Sequence, residues 1–296
     1  MNQEQAPPTA VGFPLDQLQV GDLLLMLGKS ELSKLIAWFG DSRYSHVSMV
    51  SENGMLIEAI RPVAAESPLS KRLAENGPVV LVDAYRSLAA DGSPLSGEDR
   101  AAVLRHARSL LGTVFAQDEL VMVGFLVALR GKPQHLPAWL RWVIHQATEH
   151  AIRQDPGKMM CSEFAYRSFA DCDVSPPGRL ARPIAMGEPS DLPFPEIDYA
   201  GLQKEVREIL GFKAHDNKAV EAGEQLGEAV DLDVDEQVPN DAFAPLGAQL
   251  GGDADAADAP NALKAEAWTP PRPNPKLVRP RDLADSIASR FLGKLK

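Results

Sequence analysis

The 296-residue chain is 45 % apolar, enough for a substantial core, and its length fits one or two domains. The net charge of −11 is concentrated: twelve acids and one lysine lie between Asp216 and Asp258, so the remainder is neutral. No basic stripe with interleaved aromatics is present, which argues against nucleic acid as a partner, and two cysteines, Cys161 and Cys172, cannot make a disulfide framework.

In chain order, residues 1–14 read as a flexible arm with neither the basic nor the apolar region of a signal peptide. LQVGDLLLML (18–27) predicts a buried strand entered through a Gly-Asp turn. SELSKLIAWFG (30–40) predicts a short helix, with Leu32, Leu35, Ile36 and Phe39 at helical spacing and Gly40 as its stop. A hairpin follows within GDSRYSHVSMVSENGMLIEAI (40–60), then a strand over PVVLVDAY (78–85). SGEDRAAVLRHARSLLG (96–112) is the clearest helix, with Ser96 as cap, Asp99 at the capping-box position and Gly112 at the end. Residues 117–153 read as a helical hairpin broken at GKPQHLP. Its longest apolar run, LVMVGFLVAL (120–129), is about half of the roughly 20 residues a bilayer span needs. The hairpin is expected either to pack on the core or to touch a membrane peripherally as an apolar lid. CSEFAYRSFADC (161–172) predicts a helix that opens on a cysteine, with Cys172 as a buried residue.

Residues 216–262 have the composition of an acidic, solvated linker, with an unknown protein as a conceivable partner. Residues 269–280 are Pro-rich and extended. RDLADSIASRFLGKLK, at the end, reads as a short basic amphipathic helix. The expected organisation is an arm (1–14), a catalytic domain (15–215) with the inserted hairpin, the linker (216–262), and a C-terminal stretch (263–296) that returns to the domain.

The chemistry-bearing residues start in the hairpin. If Asn53-Gly54 were a two-residue loop, Glu58 would face away from His46. A three-residue loop, Glu52-Asn53-Gly54, pairs Ser51 with Met55 and leaves Val47, Met49, Met55, Ile57 and Ala59 on one apolar face. His46 and Glu58 then become diagonal neighbours roughly 7 Å apart at the backbone, close enough for the carboxylate to orient the imidazole. Cys161, at a helix start, sits where unpaired N–H groups and the dipole favour a thiolate. A cysteine, a histidine and a carboxylate are the groups a thiol acyl-transfer site requires, and the Cys161 N–H is a candidate oxyanion donor.

VGDLLLML, the helix after it, SRYSHVSMV, LIEAI and CSEFAYRSF, in this order, resemble the circularly permuted NlpC-like branch of the papain fold, the YiiX/YaeF type. VRPRDLADS (278–286) resembles that family's closing element. The resemblance implies an α+β, circularly permuted papain-like fold, with an antiparallel sheet packed on the nucleophile helix and the helical hairpin 117–153 as an insertion. It implies His46 as base, Glu58 as its orienting acid, Cys161 as nucleophile, and Tyr44 as an oxyanion or substrate contact. No cofactor and no metal are implied. The function expected is a cysteine hydrolase, an amidase or peptidase acting on small peptides or peptidoglycan-stem amides. The alternatives are a lipid acyl-ester hydrolase or acyltransferase of the lecithin-retinol acyltransferase type and a non-catalytic binding module. The expected location is cytoplasmic as synthesised, with signal-independent export as an antibacterial or host-directed effector left open.

Overall fold

The computed structural model describes residues 12–60, 63–113, 136–137, 140, 144, 159–184, 192–209 and 273–296. The first strand, β1 (Leu23–Gly28), explains the architecture: Leu23, Leu24, Leu25 and Met26 are all fully buried. Leu23 and Leu25 enter one apolar cluster, whereas Leu24 and Met26 enter another. Successive strand side chains point to opposite faces, so an unbroken apolar run at this position marks a strand covered on both sides.

After β1 comes α1 (Glu31–Phe39), started by Ser30, whose hydroxyl accepts the Ser33 N–H at 3.0 Å. Next are β2 (His46–Val50), β3 (Met55–Ala59) and β4 (Ala64–Pro68), a short α2 (Leu69–Leu73), β5 (Val79–Ser87) and α3 (Gly97–Ser109). The capping box expected for α3 is present: Ser96 Oγ accepts from Asp99 N–H and the Asp99 carboxylate accepts from Ser96 N–H, each at 3.1 Å. The remaining elements are α4 (Cys161–Ala170), α5 (Tyr199–Ile209), α6 (Pro280–Asp285) and β6 (Ser289–Lys294). The strands form one six-stranded antiparallel sheet in the order β4-β3-β2-β1-β5-β6. The fold class is therefore mixed α+β.

One face of the sheet carries the larger core, to which α1 gives Leu32 and Leu35, α3 gives Val103, α4 gives Phe164 and Phe169, and α5 gives Leu202. The other face carries a smaller core of Leu24, Met26, Val50, Leu56, Val79, Val82 and Ala84, closed by Leu69 at the head of α2 and bordered by Phe13 and Leu73. Phe13 also donates its N–H to Lys294 O at 3.0 Å, so the last residues of the expected arm dock on the sheet.

The C-terminus corrects the sequence reading. The helix there ends at Asp285, and Ser289–Lys294 is a strand paired with Asp83–Ser87. Without β6, β5 would present a row of unpaired backbone groups, and pairing them outweighs the weak helical periodicity of RDLADSIASRFLGKLK. Neither β4 nor α5 was legible in the sequence. Residues 1–11 of the arm, most of the hairpin 117–153, the linker 216–262 and residues 263–272 lie outside the described residues. Within the hairpin, Leu136, Leu140 and Ile144, spaced four apart, are buried in the larger core. No helix among the described residues is long and apolar enough to cross a membrane.

A buried guanidinium ties the C-terminal elements to the sheet. Arg182 is 1 % exposed. It donates to Ala288 O at 2.8 Å, to Ser289 Oγ at 2.6 Å and to Ser87 Oγ, and it stacks 4.3 Å from the Phe169 ring centroid. Burial pulls its pKa down to about 9 despite the attraction of Asp22. Arg182→Met leaves a carbonyl and two hydroxyls without their donor, so stability is expected to fall by about 2–4 kcal/mol. Urea unfolding measures this; an unchanged midpoint would show that the hydrogen bonds do not hold the C-terminal elements in place.

Candidate active site

The hairpin adopts the register that brings His46 and Glu58 together. Met49 pairs with Ile57 and Val50 with Leu56, and Ser51 N–H donates to Met55 O at 2.8 Å. The turn between them requires left-handed backbone at Asn53 (φ 55°) and Gly54 (φ 69°), conformations that asparagine and glycine adopt most readily. Leu56 belongs to the smaller core, and Glu58, two residues on, shares its face.

Glu58 is fully buried, yet both its oxygens are occupied. Its Oε2 lies 3.0 Å from His46 Nε2 and accepts the Ser48 hydroxyl at 2.6 Å. Its Oε1 accepts a short hydrogen bond from Ser67 and is paired with the Arg72 guanidinium at 2.8 Å. Burial pushes this carboxyl up. The hydrogen bond and charge of His46, the charge of Arg72 and the Ser48 hydroxyl outweigh that and hold it well below the usual carboxylate range.

Cys161 opens α4, which packs on β2 and β3. Its side chain is buried, and it lies close enough to His46 to act on the charge of the ring. Burial pushes the His46 ring down in pKa, but the charge and hydrogen bond of Cys161, then those of Glu58, raise it to about 9. The ring is partly open to solvent, with 18 % of its side chain exposed. The three residues that the sequence placed on two strands and a helix start are thus contiguous.

The residues after Cys161 hold α4 in place. Ser162 Oγ donates to Val278 O at 2.6 Å, fastening the C-terminal stretch to the helix, and Glu163 pairs with Arg167 at 2.9 Å. Cys172 lies beyond the end of α4, buried, with its thiol directed to Phe169 O at 3.2 Å, and burial pushes its pKa up to about 11. It and Cys161 are both free thiols.

Tyr44 is buried, and its hydroxyl donates to Asp83 Oδ2 at 2.7 Å and lies 2.9 Å from the Tyr85 hydroxyl. Burial, then Tyr85 and Asp83, push it far up in pKa, so it remains a neutral phenol. Sequence reasoning missed Ser67 and Arg72 as neighbours of Glu58, because β4 and α2 were not recognised. It placed Ser48 on the right face without assigning it a role. Among the described residues, no group of three or more His, Cys, Asp or Glu side chains is arranged to hold a metal ion.

No protein-family model matches this chain, and no curated protein matches it. Among solved structures, the crystal structure of metalloprotein YiiX from Escherichia coli O157:H7 is similar at a TM-score of 0.37 and 19 % sequence identity. That alignment covers 67 % of this chain and 84 % of the other. A likeness at that level carries neither fold nor function across.

The geometry fixes two titration results. Removing the thiol removes the largest contribution raising His46, so its midpoint, about 9 in the native protein, is expected to fall by about a unit or more in Cys161→Ala. NMR of the imidazole resonances reads this directly, and an unmoved midpoint would mean that the sulfur and the ring do not interact. The second result concerns stability. A folded-state value above the ordinary 6.5 means that the His46 contribution is complete below pH 6.5 and is lost as the pH rises through about 9. Denaturant unfolding across that window is expected to show this loss, and a smaller one in Cys161→Ala.

Proposed function

We propose that this protein is a cysteine hydrolase of the circularly permuted papain-like, NlpC-type architecture, working through an acyl-Cys161 intermediate. One observation carries the reading: a partly exposed imidazole, His46, is held by a buried carboxylate on Nε2, and the buried thiol of Cys161, at the start of α4, lies near enough to raise the ring's pKa. With Nε2 committed to Glu58, Nδ1 is the nitrogen left to exchange a proton with sulfur. The order of the groups along the chain, strand histidine, strand glutamate, then helix-start cysteine, is that of the permuted family its sequence resembles.

The reaction divides into two halves. Cys161 Sγ attacks the substrate carbonyl carbon while its proton resides on His46. The carbonyl oxygen gains negative charge beside the start of α4, where the first N–H groups of a helix have no carbonyl partner within it, and the Cys161 N–H is the donor nearest the new bond. Collapse breaks the carbon–nitrogen bond, and His46 gives its proton to the departing amine. Water then attacks the thioester, losing a proton to His46, and the acid leaves as the Cys161–His46 pair is restored. Glu58 keeps the ring oriented and stabilises the imidazolium in both halves.

The substrate class proposed is an amide of a small peptide or peptidoglycan stem. Cys161→Ala and His46→Ala are expected to abolish release of free amine from stem-peptide amides, and Glu58→Gln to lower kcat roughly ten- to thousandfold. Turnover of acyl-ester lipids alone would move the assignment to esters while keeping the thiol mechanism. If neither panel is turned over and Cys161 reacts with iodoacetamide at pH 6 no faster than a free cysteine, the enzymatic reading is wrong.

A further inference from the structure

The carboxylate that steadies His46 is itself steadied, and by more than its hydrogen bonds to serines. Glu58 is sealed from solvent. A carboxylate in such a place ionises only if fixed positive charge or strong donors replace its lost hydration. His46 cannot supply that charge throughout a catalytic cycle, because as the proton carrier it is neutral after each proton delivery. At that moment a buried glutamate without another cation would take up a proton, cease to accept from Nε2–H, and release the ring.

We infer that Arg72 is a positioning residue for the proposed reaction: its guanidinium holds the Glu58 carboxylate ionised and turned toward His46 when the imidazole is neutral. The inference rests on the thiol-hydrolase reading of the same site. Arg72 reaches Oε1 through two nitrogens, Nε at 3.2 Å and Nη2 at 2.8 Å, which leaves Oε2 for His46 and Ser48. Both contacts fall on the one oxygen, so the guanidinium brings its charge to Oε1 without competing with His46 for Oε2.

The placement of Arg72 is built into the fold. The N–H of Leu69, at the head of α2, donates to Gly54 O at 2.9 Å, so α2 is fastened to the same turn that sets the β2–β3 register. Leu69 and Leu73 flank Arg72 in sequence and sink into the smaller core, which leaves 14 % of the Arg72 side chain exposed. The charged and titratable groups facing Glu58 come from every side: His46 from β2, Arg72 from α2, and Cys161 from α4 through His46. Glu66, on the adjoining β4, is instead engaged by Ser51 and Arg108. Ser48 and Ser67 complete the shell as neutral donors.

The test needs no known substrate. The His46 midpoint is followed by NMR of its imidazole resonances, and alkylation of Cys161 by iodoacetamide by mass spectrometry, from pH 4 to 10 in the full-length wild type, Arg72→Met, Arg72→Lys and Ser67→Ala. The His46 midpoint, about 9 in the wild type, reports how far Glu58 supports the imidazolium. In Arg72→Met that midpoint is expected to move to lower pH by about one unit, since a protonated Glu58 no longer supports the imidazolium. Arg72→Lys is expected to restore most of the shift because it returns the charge, and Ser67→Ala to leave the midpoint near its wild-type position. A midpoint in Arg72→Met that stays in place or moves to higher pH overturns the inference, as does an equal shift in Ser67→Ala, which would assign the effect to packing. Should Arg72→Met fail to fold, Arg72→Gln, which still donates to Oε1 without a charge, makes the same comparison. A wild-type profile like that of a free cysteine would instead remove the hydrolase reading itself, so the two failures are distinguishable.

Discussion

The register of one hairpin is the constraint on which the site depends. Slipping β3 by a single residue against β2 would send Glu58 to the opposite face and bring a neighbouring aliphatic side chain toward the imidazole. Two devices prevent the slip. The turn at Asn53 and Gly54 needs positive φ at both residues, which binds loop length to these side chains. The alternation of Val47, Met49, Ile57 and Ala59 with Val50 and Leu56 also assigns each face to its own core, so a slip would expose one set and bury the polar set unsatisfied. Core packing and site geometry are here consequences of the same pairing.

Buried charge is handled in a consistent way across the sheet. Asp22, at the entry to β1, is fully buried and is met by Arg86 at 3.1 Å and Arg100 at 3.5 Å. Its pKa is nevertheless raised, because burial exceeds what the Gln19 N–H and the two arginines return. Glu58, equally buried, goes the other way: its surroundings over-compensate. The contrast separates a carboxylate that organises the fold from one kept anionic beside an imidazole. It follows from the donors each receives rather than from depth, which is the same for both.

Much of this was legible because the signals were local. Ser96 marked a helix start, the apolar run through Leu23–Leu27 marked a buried strand, and the Asn-Gly turn with its flanking alternation fixed which residues oppose which. What stayed hidden was non-local. AAESPLSKRL carries no strong period in either direction, and β4 forms because β3 offers it an edge, so Ser67 and Arg72 could not be connected to Glu58. In the same way RDLADSIASRFLGKLK mixes helix formers with apolar residues at ambiguous spacing, and the open edge of β5 decides the outcome for Ser289–Lys294. The helix over Tyr199–Ile209 owes its place to a partner far away in sequence, since Glu205 accepts the N–H groups of Glu31 and Leu32 at 2.9 and 3.1 Å.

The fastening of Ser162 to Val278 has a consequence for how the molecule assembles. The neighbour of the proposed nucleophile and the segment that holds it are separated by more than a hundred positions, and β6 closes on β5 from farther still. Loop-closure entropy makes contacts of such separation slow to form. The hairpin and its imidazole can therefore be in place well before the sulfur-bearing helix is locked, so that formation of the sheet and the meeting of sulfur and ring become separate events in time.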